Sequence, residues 1–330
     1  MSLDGRFDLT EIGDLPWLPS MLRDAIGDML RALNRVVRPF DGAAPVLRRL
    51  LRAADDADAG AAPAPPSPRH PAVLIDLASG GGGPLLDLMA RPGLLPPDCV
   101  ALLTDLHPNE GALTLAERRL PGRAIGVRAS VDAARVPADL AAFSSSSPAT
   151  RCCFNALHHL SPHKVAAAMR DATRARAPFA AFEVVERHPL ALLSMALAMP
   201  LLAAAVAPLA RPLLVVRRPS LSPLPLPLPS PSALLLLYFT FIIPLVPLVV
   251  AFDGFVSCLR AYSIAELQEM CDAANKAATT GGGGGYRWRV GVAPRAGLLG
   301  GWTPFRLVWL EGRPVAVAES PPAGAAAAAH

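Results

Sequence analysis

Three short apolar runs in this chain end at or just before an acid, and a glycine run follows the first of them. Val73 to Ile75 leads into Asp76, then Ala78, Gly80 to Gly83 and Pro84. Val100 to Thr104 leads into Asp105, and Ala124 to Ala129 is followed by Ser130, Val131 and Asp132. Carboxylates at strand ends can hold a cation or take a pair of hydroxyls, and glycines let the backbone turn sharply and approach a ligand closely. A fourth run, Arg151 to Asn155, enters Ala156-Leu157-His158-His159, and a fifth spans Ala180 to Val185, with Glu183 and Glu186 at its end. Imidazoles and carboxylates so placed can move a proton. Asp76 chooses among ligands: a pyrophosphate, which the N–H groups of such a turn otherwise receive, is repelled by an acid at the strand end. An ammonium is attracted.

The run Asp76-x-Ala78-x-Gly80-x-Gly82 resembles the acidic-x-Gly-x-Gly-x-Gly loop of class I S-adenosyl-L-methionine (SAM)-dependent methyltransferases, with Ala78 replacing the first glycine. The chain is also similar, from about residue 10 to about residue 314, to a largely uncharacterised bacterial-type group of that class. The matching pieces are Asp14-Leu-Pro-Trp17 with Arg23-Asp24, the glycine loop, Thr104 to Asn109, Val131 to Ala133, the His158-His159 pair and Asp253 to Tyr262. Asn155-Ala-Leu-His-His departs from the group's more aromatic version of that strand end.

The resemblance implies a Rossmann-like α/β fold with a seven-stranded class I methyltransferase sheet, and SAM as cofactor. It places Asp76, Ala78, Gly80 and Gly82 at the methionine end, Asp105 at the ribose and Asp132 at the adenine, with Asn155 also among the cofactor-binding residues. Ala78 leaves it open whether that position takes a positive φ. His158 and His159 are the candidate bases, followed by Glu183 and Glu186, each with a purely structural alternative. No metal site is expected. The rival readings are a nicotinamide-dependent oxidoreductase and a non-catalytic, methyltransferase-like membrane adaptor.

The positioning elements follow from periodicity. Leu18, Leu22, Ile26, Met29, Leu33 and Val36 recur at helical spacing up to Pro39, and a second helix is expected over about Ala44 to Ala54. This N-terminal pair (residues 1–54) is expected to pack over the ligand side of the sheet, with a linker at 55–70 and the core at 71–188. Pro189 to Ala210 and Ala233 to Phe252 are uncharged runs of bilayer-spanning length, separated by Arg211, Arg217, Arg218 and a Leu-Pro repeat that cannot be helical. They predict a hydrophobic helical hairpin inserted at 189–252, broken by Pro200, Pro208, Pro244 and Pro247, that contacts a membrane or covers the substrate site. Ser263 with Glu266 opens a capped helix, and Tyr286 to Gly291 and Phe305 to Leu310 alternate as strands. They complete the core over 253–314, leaving a disordered tail at 315–330.

Composition bounds the rest. The 330 residues are 52% hydrophobic but include 36 prolines, much of the excess lying in low-complexity stretches such as Ala61 to Pro68, Ser144 to Ser147 and Gly281 to Gly285. Five cysteines without C-x-x-C spacing point to a reduced, cytosol-facing protein. The net charge of +4 is scattered, and aromatics make up only 5%, which argues against nucleic-acid binding. The first eight residues carry two acids and no apolar stretch, unlike a secretory signal. The expected acceptor is small or lipid-like, at a membrane, with Asp253, Arg260 and Tyr262 available to orient a polar head group.

Overall fold

A computed structural model describes residues 5–7, 9–58, 71–141, 143, 148–210, 214–217, 226–229, 231–280, 285–294 and 305–315. The expected linker beyond residue 58, the Ser144 to Ser147 run and the tail from residue 316 lie outside them. So does the Gly281 to Gly285 run except Gly285.

After a 3₁₀ turn at Ile12–Asp14 come α1 (Ser20–Val37) and α2 (Ala43–Asp58). Arg38 ends α1 in the left-handed conformation, its N–H closing on Asn34, and Pro39 follows as the sequence requires. Five strand units build the core: β1 (Val73–Asp76), α3 (Gly83–Ala90), β2 (Val100–Leu103), α4 (Glu110–Arg119), β3 (Ala124–Gly126), the short α5 (Ala138–Ala141), β4 (Thr150–Phe154), α6 (Pro162–Arg174) and β5 (Phe179–Glu183). The apolar segment forms α7 (Pro189–Ala210), a two-stranded ribbon of β6 (Leu214–Arg217) and β7 (Leu226–Pro229), α8 (Pro231–Leu237) and α9 (Leu245–Arg260). Then α10 (Ile264–Thr280), β8 (Tyr286–Ala293) and β9 (Leu307–Pro314) close the chain. Ser263 and Glu266 form the expected reciprocal cap of α10: each backbone N–H meets the other's side chain, at 2.7 and 3.2 Å.

The sheet order is β3-β2-β1-β4-β5-β9-β8, with β1 to β5 parallel and β9 antiparallel between β5 and β8. This is the seven-stranded sheet that the sequence led us to expect. Parallel strands need both faces covered, and they are. Leu47, Leu50, Leu85 and Leu88 of α2 and α3 bury one face, and Val165, Met169, Leu267 and Cys271 of α6 and α10 the other. The N-terminal helices therefore part company: α2 belongs to a sheet face, and only α1 lies with the inserted helices.

Those helices form a further layer. Ile26, Met29 and Leu33 of α1 pack with Ala203 and Val206 of α7 and Val246 and Val249 of α9. α7 stays helical through Pro200 and Pro208, whereas the second apolar run breaks near Pro244, where the chain bends by 78°. Pro247 sits in the first turn of α9, where a missing N–H leaves no bond unmade. α9 then continues unbroken past residue 252 into Asp253, Ser257 and Arg260, so the insertion and the core share one helix.

The β8–β9 ladder packs tryptophan on glycine twice, Trp309 over Gly291 and Trp288 over Gly312. A Cβ on Gly291 would stand 2.3 Å from the Trp309 ring, so the indole must move. Gly291→Ala should cost about 1–3 kcal/mol of unfolding free energy by overpacking. Urea denaturation checks this; an unchanged midpoint would show that the ring relaxes freely.

Candidate functional site

The chain steps outward from β1 to β2 and β3, then crosses back to β4 beside β1, so the carboxyl ends of β1 and β4 flank a crevice. Asp76 pairs in register with Leu103 on one side and Cys152 on the other. The loop that follows is left-handed at four positions, Ala78 (φ 52°), Gly80 (55°), Gly81 (124°) and Gly82 (81°). Alanine at position 78 thus takes a left-handed conformation that side-chain-bearing residues rarely adopt, at a cost of roughly 1 kcal/mol. A Cβ on Gly82 would strike Leu86 and Leu103, whereas one on Gly80 would meet nothing within 4 Å. Gly82 is needed for packing, and Gly80 faces open space.

Asp105 closes over this loop. Its carboxylate accepts the Gly80 and His107 N–H groups, both at 2.9 Å. The Val131 N–H and Ser130 hydroxyl reach the carbonyls of Asp105 and Leu106, which brings the Asp132 turn to the same rim. Asp132 is exposed and accepts the Ala134 N–H at 2.9 Å. Asp76 lies deeper, 2% exposed, with one carboxylate oxygen 3.9 Å from the Cys152 thiol. Burial pushes its carboxyl well above the ordinary range, and the Asp105 charge pushes it further. It therefore acts from beneath the loop and not at its crest. The residues fit a cationic, hydroxyl-bearing cofactor: two acids lie close together under and over the loop, space is open at Gly80, and the buried Ser79 hydroxyl has no partner.

A second group gathers past β4. Asn155 is left-handed (φ 51°) and its amide oxygen accepts the Val184 N–H at 3.4 Å, which turns the chain toward the histidines. Glu183 accepts the Leu157 N–H at 2.8 Å and holds His158 Nδ1 at 2.7 Å. His158 is 1% exposed, and its Nε2 has no hydrogen-bond partner. His159 stacks obliquely beside it, ring centroids 4.3 Å apart, with Nδ1 3.2 Å from Asp14. Burial works against the charged His159 ring, but Asp14 and Glu11 outweigh it and raise its pKa; the same hydrogen bond holds Asp14 below its usual value. Glu186 is drawn away to pair with Arg306.

The residues where the insertion rejoins the core support this group instead of standing free for a head group. Asp253 accepts the Ile12 and Gly13 N–H groups at 2.7 and 2.9 Å, Ser257 donates to Glu11 at 2.8 Å, and Tyr262 donates to the Leu160 carbonyl at 2.6 Å. Arg260 donates to the His158 carbonyl and stands 3.7 Å from Asp14. Above lies a cavity of about 510 Å³, with Ile26, Leu30, Met195 and Met199 among its walls and His158 and His159 at its polar end. Sequence reasoning missed Glu11 entirely and noticed Asp14 only as part of a motif. The available signal was two acids in a short segment before α1, ahead of a chain otherwise poor in charge.

No protein-family model and no curated protein matches this chain. Solved structures do. One is a SAM-dependent methyltransferase from Anabaena variabilis, at 11% identity and TM-score 0.38, covering 94% of this chain and 98% of that one. Another is the methyltransferase domain of bacterial CtHen1-CN, at 12% and 0.34, covering 80% and 97%. A third is the CMeT domain of the citrinin polyketide synthase, at 11% and 0.35, covering 73% of this chain; this chain spans 46% of that one. At such scores the likeness adds no argument, and the fold rests on the strand order itself.

A carboxyl raised by burial stabilises the folded state below the ordinary carboxylate pKa, and that stability is lost as pH rises toward the folded value. Asp76→Asn has no proton to lose. Its melting temperature should therefore gain on the wild type progressively from pH 5 to pH 8. A constant difference across that range would mean that Asp76 is ionised at no extra cost.

Proposed function

We propose that this chain is a SAM-dependent methyltransferase, membrane-associated on the cytosolic side, acting on a small lipophilic acceptor. The observation that carries the reading is the pair of acids at the glycine loop: Asp76 beneath it and Asp105 on the Gly80 N–H. A dinucleotide would bring its pyrophosphate onto this negative field, whereas SAM brings an ammonium and a sulfonium. Gly80, Gly82 and the Ser79 hydroxyl would hold the methionine end, Asp105 the ribose and Asp132 the adenine. Bound there, the cofactor supplies a methyl group on a positively charged sulfur. The chain's own part is alignment and exclusion of water, which together account for much of such a displacement. The apolar cavity wall selects an acceptor that leaves water readily, and the histidines meet it at the polar end.

Calorimetry separates the readings. Micromolar SAM binding without NAD(H) binding is expected, and Asp105→Ala should weaken SAM by about 10- to 100-fold through lost charged hydrogen bonds. Unchanged affinity removes the ribose assignment, and NAD(H) binding in place of SAM favours the oxidoreductase. Membrane attachment without either ligand favours an adaptor.

Membrane association is supported by a one-sided helix. α7 carries no charge and turns Ala203, Val206 and Ala207 inward, while Leu190, Leu193, Leu197 and Leu201 stand out at helical spacing. Phe241, Ile242, Ile243, Leu248 and Phe252 are also exposed. Among the described residues α7 alone has the length and composition to cross a bilayer, and the bent α8–α9 pair passes the same test together. A helix committed on one face to the core and apolar on the other suits the interfacial plane. The five buried, unpaired cysteines agree with a reducing side. Intact protein should float with liposomes, and the triple change Leu193→Ser, Leu197→Ser, Leu201→Ser should release it while leaving SAM binding intact. Equal flotation of both would rule out this face as the attachment surface.

A further inference from the structure

We propose that Glu11, His158 and His159 bind one divalent metal ion of the zinc class at the polar end of the cavity. One ligand atom from each lies within 4.8 Å of the others. His158 Nε2 stands 3.7 Å from one Glu11 oxygen, and His159 Nε2 stands 3.8 Å from the other. Ligands of a tetrahedral ion at about 2.1 Å are separated by about 3.4 Å, so side-chain rotations of up to about 1.4 Å bring the three atoms, now within 4.8 Å of one another, to that spacing.

The surrounding groups prepare the rings for this. A carboxylate only accepts, so Glu183 and Asp14 each call for the proton on Nδ1 of the ring they touch, and the lone pair of the neutral ring is then on Nε2. Carboxylate behind imidazole, with the far nitrogen directed at a shared point, is the arrangement that orients histidine ligands and raises their basicity. The buried His158 Nε2 meets an acceptor, Glu11, with no donor between them, and it is without a partner. Two facing acceptors repel unless a cation lies between. The field agrees: the carboxylates Glu11, Asp14, Glu183 and Asp253 gather here against the guanidiniums of Arg6 and Arg260. Arg6 is spent on the carbonyls of His158, Leu160 and Arg260.

Two imidazoles and a carboxylate leave coordination positions open, as catalytic zinc sites do, and these three residues line the cavity. The histidines, expected from sequence as free bases, are then ligands. On the methyltransferase reading, the ion would draw an acceptor hydroxyl to the open position and ease the loss of its proton. Metal binding itself does not depend on that reading.

The test uses the full chain, stripped with chelator and titrated with Co²⁺ alone. Visible d–d bands should grow to one ion per chain and disappear on adding Zn²⁺. Glu11→Gln and His159→Gln should abolish them. Asp14→Asn, at a partly exposed position that leaves all three ligands in place, should weaken Co²⁺ binding by about 10- to 100-fold. Absence of bands, or bands unchanged in all three variants, overturns the proposal. SAM calorimetry on the same samples keeps the two readings apart: bands without SAM binding would retain the metal site and reject the methyltransferase.

Discussion

Everything in this molecule hangs on the parallel pairing of β1 with β4. The two strands are distant in sequence, and β2 and β3 are built before the chain returns. That return opens a crevice between neighbouring strand ends, because the connections leave β1 and β4 toward opposite faces. The glycine loop rises from one lip and Asn155 with the histidines from the other. Neither group is near the other in sequence. The pairing of Leu74 with Thr150 and Asp76 with Cys152 sets their distance. Leu74 and Ile75, fully buried, hold that register, since a shift of one residue would exchange the two faces of the strand.

The crevice is expensive in charge. Asp76 is almost wholly buried, Glu183 is buried, and Glu11 lies under Ser257. Burying a carboxylate is tolerated when hydrogen bonds or cations compensate it. Glu183 has a backbone N–H and an imidazole; Asp76 has only a distant thiol, and burial raises its carboxyl well above the ordinary range. Compare Glu311, also fully buried, which is ringed by Arg49 and Arg289 and ties α2 to the β8–β9 hairpin. The structural acid is neutralised within the chain. Those at the crevice are left short of cations, as acids waiting for a positive ligand must be.

Much of the first group was legible in the sequence because its determinants are local. An apolar run, an acid and a glycine turn specify strand, carboxylate and loop within a dozen residues, and the resemblance supplied the sheet order that local pattern cannot. The Ser263–Glu266 cap followed for the same reason, whereas strand ends shifted by a few residues, β3 stopping at Gly126 and β9 running on to Pro314. The second group was only half legible. His158 and His159 announced themselves as a pair, but their partners come from a segment before α1 and from β5, brought together by contacts that no spacing encodes. Asp253 was expected to orient a head group; it lies within α9 and instead accepts the Ile12 and Gly13 N–H groups. The alanine at position 78 was the local exception, a left-handed residue held by its neighbours against its own preference.

The apolar insertion was expected to contact a membrane or to cover the substrate site, and its packing ties it into the fold. Val206 and Val249 share a core with Met29 of α1, and Met195 contributes to the cavity wall. Removing residues 189–252 would strip that wall and expose the inner face of α1, so the insertion cannot be a mere anchor on an independent enzyme. One face of the same helices closes the pocket, and the other stands bare to the surroundings. A single layer of helix thus separates the cavity from whatever covers that bare face. An apolar molecule dissolved in a bilayer would need to pass only between these helices to reach the histidines, without crossing water on the way.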